Sequence, residues 1–183
     1  MLRMNIGIEH GNYEYRKKYL KRNVKDEVQI RAFEIASEHN YTSCANSIIG
    51  FPDETRELVF DTINFVRKLP KKIDATGAFI FTPYHGTSLR TLAIEKGYLN
   101  DEEICHLSNT SESILNMPSI SKDEISGLVK VFNFYIKFPE SRWEEIKIAE
   151  KNDNKGIGMY KKLGEEFDEK YRNNKESNMD LHS

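Results

Sequence analysis

A chain of 183 residues with 27 Lys and Arg against 29 Asp and Glu, net charge -2, has room for one core and an appendage, and it presents no global positive field to attract phosphate backbones. Nucleic acid is therefore not an expected partner, and neither is a membrane, because no apolar run approaches the roughly 20 residues needed to cross a bilayer. The absence of a signal-peptide pattern predicts a cytoplasmic protein in which Cys44 and Cys105, far apart in sequence, stay reduced rather than forming a disulfide framework.

The first predicted strand is Met4 to Ile8, with Gly7 and Gly11 around it. A helical pattern follows, with Val28, Ala32, Ile35 and Ala36 on one face, read as the core side of a crossover helix. Thr42 to Ile49 predicts the second strand, ending at Gly50, and Leu58, Thr62, Phe65 and Leu69 recur at helical spacing after it. Thr76 to Thr82 predicts the third, closed by Pro83 and Gly86. Strands joined by helices of this length pair in parallel, so the three turns share one rim and Glu9, Asn46 and Tyr84 become neighbours. Three such strands cannot close a barrel, which leaves an edge open to association.

From Asn100 the pattern turns helical. Asn100 with Glu103, Ser121 with Glu124 and Ser141 with Glu144 each have the spacing of a capping box. Ile125, Leu128, Val129, Phe132, Tyr135 and Ile136 form one apolar stripe, and Tyr160, Leu163, Phe167 and Tyr171 form another. The expected organisation is an α/β core over 1–98, a helical extension over 99–172 and a frayed tail over 173–183.

Three strand ends carry residues suited to ligand chemistry. Gly7-Ile8-Glu9-His10-Gly11-Asn12 sets a carboxylate between glycines, able to accept from a sugar diol, or else to pair with Arg16 or Arg22. Asn46 shares a strand face with Ile48, and an amide beside a branched aliphatic suits a nucleoside; Gly50 removes a side chain where a ligand passes. The competing reading is a buried strand followed by a Pro-Asp-Glu helix start that satisfies orphan amides. Phe79 to Thr87 supplies aromatics at the third strand end, and His85 in its turn is expected to face solvent. No nucleophile and base pairing, phosphate loop or zinc helix is present, and Cys105 with His106 lacks metal-ligand spacing. No catalytic and no metal-binding residue is assigned.

Taken in order, Ile6 to Asn12, Leu20-Lys21-Arg22-Asn23, Ile48 to Thr55 and Thr82 to Leu89 resemble the second half of the radical S-adenosylmethionine core. Phe138 to Glu150 is similar to the C-terminal helical region of the subgroup in which that core follows a cobalamin-binding domain. The resemblance implies a partial TIM-like barrel: three parallel βα units, the second half of a six-unit barrel, followed by a helical region. It implies S-adenosylmethionine on the rim, with Glu9 near the ribose, Arg22 near the methionine carboxylate, Asn46 at a ribose hydroxyl, Ile48 and Ile80 against adenine, and Gly50 giving clearance. Three positions depart from the family pattern: His10 stands for a serine, Asp53 for a glycine and His85 for a second proline. The three-cysteine loop that holds a four-iron four-sulfur cluster has no counterpart. The expectation is therefore a fragment of a radical enzyme, not catalytic alone and weak in S-adenosylmethionine binding. Its complete form would use the cluster and, in that subgroup, cobalamin for methyl transfer. An N-terminal half or a separate chain would supply the cluster. The alternative is a non-catalytic partner-binding module that completes its sheet with another chain.

Overall fold

The computed structural model describes residues 3–70, 75–105 and 112–172. Three strands, β1 (Arg3–Glu9), β2 (Thr42–Ile49) and β3 (Ala75–Ile80), form one sheet in the order β1-β2-β3, and both pairings are parallel. Parallel neighbours need crossovers, and helices α1 (Tyr13–Tyr19), α2 (Asp26–Glu38) and α3 (Arg56–Arg67) provide them. α4 (Ser88–Glu95), α5 (Lys122–Lys137), α6 (Trp143–Ala149) and α7 (Asn154–Phe167) follow. The expected α/β class and parallel pairing hold. Among the described residues no helix is long and apolar enough to cross a membrane. The tail from 173 and His106 lie outside the described residues.

Alternation gives the sheet two different faces. Ile8, Ala45, Ile49 and Ile80 point into the core, where α2 and α3 pack on β2 and α5 packs on β3. The second face carries Asn5 and Gly7 from β1, Cys44, Asn46 and Ile48 from β2, and Gly77 and Phe79 from β3, as the register fixes. Phe79 is 51% exposed there, so this face is not closed over by the core.

α2 departs from the expected orientation. Its buried residues are Gln29, Phe33 and Ala36, while Val28 and Ile35 are exposed. The cause lies in α1: the fully buried Arg16 guanidinium bonds the carbonyls of His10, Gly11 and Val24 and the carboxylate of Asp26. The Gln29 amide oxygen, turned toward that guanidinium, accepts from it at 3.1 and 3.3 Å. A buried cation must be fully partnered, and satisfying it rotates the Gln29 and Phe33 side of α2 inward.

One of the three expected capping boxes forms, at Ser121 and Glu124, where it starts α5. Asn100 opens a turn rather than a helix, and Ser141 lies inside a single 3-10 turn before α6. α5 buries Ile125, Leu128, Phe132, Tyr135 and Ile136, with Val129 at the edge of the stripe. Two arginines from α3 secure the helical region: Arg56 grips Glu150 in bidentate fashion, and Arg67 donates to the carbonyls of Tyr135, Ile136 and Phe138 at the end of α5.

Candidate functional site

At the end of β1 the ladder slips between Gly7 and Glu9, so Glu9 stands opposite Ser47. Glu9 adopts φ 66, and the His10 N–H closes a three-residue turn on the Ile8 carbonyl at 2.9 Å. This turn folds the Glu9 carboxylate back over the sheet: a Cβ at Gly7 would stand 2.3 Å from Glu9 Oε1. Arg22 donates to Glu9 Oε1 at 3.3 Å and to the Gly7 carbonyl at 2.7 Å. The pairing of Glu9 with Arg22, weighed from the sequence, is present, and both side chains stay about one third exposed, at 31% and 34%.

Beside them stands Asn46, paired in register with Gly7 on one side and Gly77 on the other. Its amide makes no hydrogen bond among the described residues, and a Cβ at Gly77 would meet nothing within 4 Å. Toward the rim, Ile48 pairs with Phe79 on the same face. Ile80 does not join them: it pairs with Ile49 and is buried in the core at 6% exposure. The apolar residue that shares Ile48's face is therefore Phe79. Period-2 alternation within β3 separates Phe79 from Ile80, but only the register with β2 says which one lies beside Asn46.

Gly50 ends β2 at φ 88, a conformation that favours glycine. The space it clears belongs to α5, since a Cβ there would lie 3.2 Å from Ile125. The Gly50 N–H donates to Glu54 Oε2 at 2.5 Å and the Phe51 N–H donates to the same oxygen at 3.3 Å. Glu54 therefore turns back to close the strand end, and Thr55 caps α3 instead. His10 is fully buried, stacked on Tyr15 at 4.2 Å, with Nε2 3.0 Å from Glu54 Oε1. The Tyr15 hydroxyl donates to the Pro52 carbonyl at 2.6 Å, and burial, with Glu54 second, pushes its phenol well above the usual range.

Asp53 adopts φ 63 and draws three elements together: Tyr19 donates to it at 2.9 Å, Tyr98 at 2.8 Å, and the Lys96 ammonium lies at 2.7 Å. Burial works against its ionisation, but Lys96, Tyr98 and Tyr19 together outweigh burial and hold its carboxyl below the usual aspartate range. At the third strand end Tyr84 and His85 are exposed, as expected for His85.

The second face thus holds a carboxylate and a guanidinium over Gly7, an unpaired amide between two glycines, and two apolar side chains toward the rim. Such a surface can accept from and donate to vicinal hydroxyls and cover a flat ring. A cavity of about 640 Å³ lies elsewhere, lined by Arg56, Asp123 and Glu150 among others, and one of about 600 Å³ lies beside Lys96 and Tyr98. Among the described residues no group of three His, Cys, Asp or Glu is placed to hold a metal ion.

No family model matches the chain. Over 121 residues, 65% of the chain, it is 31% identical to an uncharacterized methyltransferase of Pyrococcus horikoshii. The matched part is 26% of that protein, so the chain spans about a quarter of the length of the curated relative it matches. These findings overturn the resemblance to the radical S-adenosylmethionine core. The relative's name is that of a methyltransferase and says nothing of a cluster or cobalamin. The radical-enzyme fragment, its four-iron four-sulfur cluster, its cobalamin and the alternative of a non-catalytic partner-binding module are accordingly set aside. The physical reason is visible in the turn after β2. Gly50 is needed for its φ, Glu54 for the Gly50 and Phe51 amides and Thr55 for the α3 cap, so these residues satisfy a strand-to-helix junction whatever chemistry surrounds it.

Proposed function

We propose that this chain carries the nucleoside-binding part of a methyltransferase, with S-adenosylmethionine as methyl donor held on the second sheet face. The observation that carries the reading is the Asn46 amide, unpaired and flanked by Gly7 and Gly77, where a ligand meets backbone rather than side chain. The residues fit the donor's parts. The Asn46 amide bonds a ribose hydroxyl, and the Glu9 carboxylate accepts from a ribose hydroxyl in preference to competing with anions. Ile48 and Phe79 cover the adenine ring. Arg22, which commits NH1 to Glu9 and NH2 to Gly7, keeps further N–H donors for the methionine carboxylate. When bound, the donor supplies a sulfonium methyl to a nucleophile; the chain's own groups orient it and shield one ring face from water.

The strand order β1-β2-β3 runs without reversal, which supports an arc of a TIM-like barrel as the finer architecture, with the second face lining its interior. The relative's name supports methyl transfer. An NMR titration of the chain with S-adenosylhomocysteine, the unreactive product, tests the reading. Saturable shifts are expected at Gly7, Asn46 and Gly77, with Kd on the order of 1 mM or tighter, about 4 kcal/mol of binding. Shifts confined to other surfaces, or no saturable shift, contradict it.

A further inference from the structure

Glu9 is a non-glycine residue held at φ 66 in a three-residue turn, a sparsely populated conformation that persists only where its surroundings over-determine it. The β ladder alone does not set it, because the register slips between Gly7 and Glu9 before Glu9 pairs with Ser47. The next residue is His10, whose ring is fully buried. His10 Nδ1 accepts from the Asn12 N–H at 3.0 Å, which leaves the ring proton on Nε2; that atom and Glu54 Oε1, both buried and without a hydrogen bond among the described residues, face each other at 3.0 Å. The other oxygen of Glu54 takes the Gly50 and Phe51 amides. Tyr15, stacked on the imidazole, reaches the same turn through the Pro52 carbonyl.

We propose that His10 is a positioning residue: through Glu54 it ties the turn after β1 to the turn after β2, and this tie aims the Glu9 carboxylate over Gly7 at the nucleoside platform. The proposal rests on the function inferred above for what Glu9 is aimed at, but not for the tie itself. Both partners are fully buried and neither reaches the ligand, so their effect on binding passes through the backbone of Glu9 and Gly50. The Glu54 carboxylate, buried and shared by two amides and one imidazole, loses part of its solvation substitute when the imidazole is removed.

Two substitutions separate the two ends of the ring. His10→Gln keeps a donor that reaches toward Glu54, whereas His10→Asn keeps only an acceptor near the Asn12 amide. Nitrogen NMR of the unaltered protein should show the His10 proton on Nε2; a proton on Nδ1 alone overturns the tie. Amide hydrogen exchange at Gly50 and Phe51 should accelerate about tenfold in His10→Asn and stay within about threefold in His10→Gln, the effect of one polar contact with a buried carboxylate. S-adenosylhomocysteine affinity should follow the same order, about tenfold weaker in His10→Asn and within about threefold in His10→Gln. Equal behaviour of the two variants means that the ring only fills space and overturns the proposal. If His10→Asn does not fold, fast Gly50 exchange in His10→Gln is the overturning result. A protein that shows the proton on Nε2 and protected amides but binds no nucleoside keeps the tie and loses the proposed function, so the two failures are distinguishable.

Discussion

Gly50→Ala should destabilise this protein measurably, because backbone and packing penalties fall on one residue. At φ 88 a side chain pays about 1–2 kcal/mol for the left-handed region. The added Cβ would lie 3.2 and 3.3 Å from two carbons of Ile125, which is fully buried at the start of α5 and cannot swing into solvent. Overpacking of this kind costs about 1–3 kcal/mol, so the total is about 2–5 kcal/mol against an overall stability of about 5–15 kcal/mol. With a urea m-value of about 2 kcal/mol/M, the midpoint should fall by about 1–2.5 M at unchanged m. Trp143, the single tryptophan, packs against Phe60 and Tyr135 and reports the transition by fluorescence, with circular dichroism as the second probe. Two other glycines divide the sum. Gly86 has φ 81 with open space at its Cβ, so Gly86→Ala should show the backbone penalty of about 1 kcal/mol alone. Gly77 has neither constraint, so Gly77→Ala should change stability by less than about 0.5 kcal/mol. A Gly50→Ala midpoint within about 0.3 M of the parent would refute the reasoning.

Arg16→Met removes a fully buried guanidinium and orphans the carbonyls of His10, Gly11 and Val24. A loss of about 3–5 kcal/mol in thermal or urea melts is expected, and a loss under about 1 kcal/mol would show that the loop after β1 is held by other contacts. Asp53 supplies a pH dependence with a definite sign. Its folded carboxyl titrates below its unfolded value of about 3.9, so its contribution is complete above about pH 4 and is lost as pH falls through the lower folded value. Asp53→Asn should therefore flatten the acid limb of the stability curve below about pH 4; an acid limb parallel to the parent's contradicts the assignment.

Much of the fold is readable along the chain because it rests on local chemistry. Short apolar or β-branched runs followed by glycine-bearing turns give three strands, helical spacing between them enforces parallel pairing, and Ser121 with Glu124 caps α5. Where the reading fails, distant residues decide. The inward face of α2 is set by Arg16, a cation whose burial no hydrophobic pattern reveals, so Val28 and Ile35 face solvent and Gln29 faces in. Ile80 is separated from Ile48 by register, a relation between strands that neither strand encodes alone. α1 carries a local signal that spacing of apolar residues does not register: Asn12 caps it by accepting from the Tyr15 N–H at 2.9 Å. The motif resemblance misled for a related reason, since glycine, acid and threonine at a strand-to-helix junction satisfy backbone geometry before they specify any cofactor. The pairing of Glu9 with Arg22 and the shared face of Asn46 and Ile48 are readable along the chain. Phe79, Gly77 and the contact between His10 and Glu54 emerge only once the strands are side by side.

The central claim is that a nucleoside lies against the backbone beside Asn46, and Gly77→Val addresses it directly. The new Cβ enters open space on the second face, in register with Asn46, with nothing within 4 Å of it. S-adenosylhomocysteine binding, measured by NMR titration on parent and variant, should weaken about tenfold or more while the melting temperature stays within a few degrees. Equal affinity of the two proteins, or no saturable binding by the parent, contradicts the account.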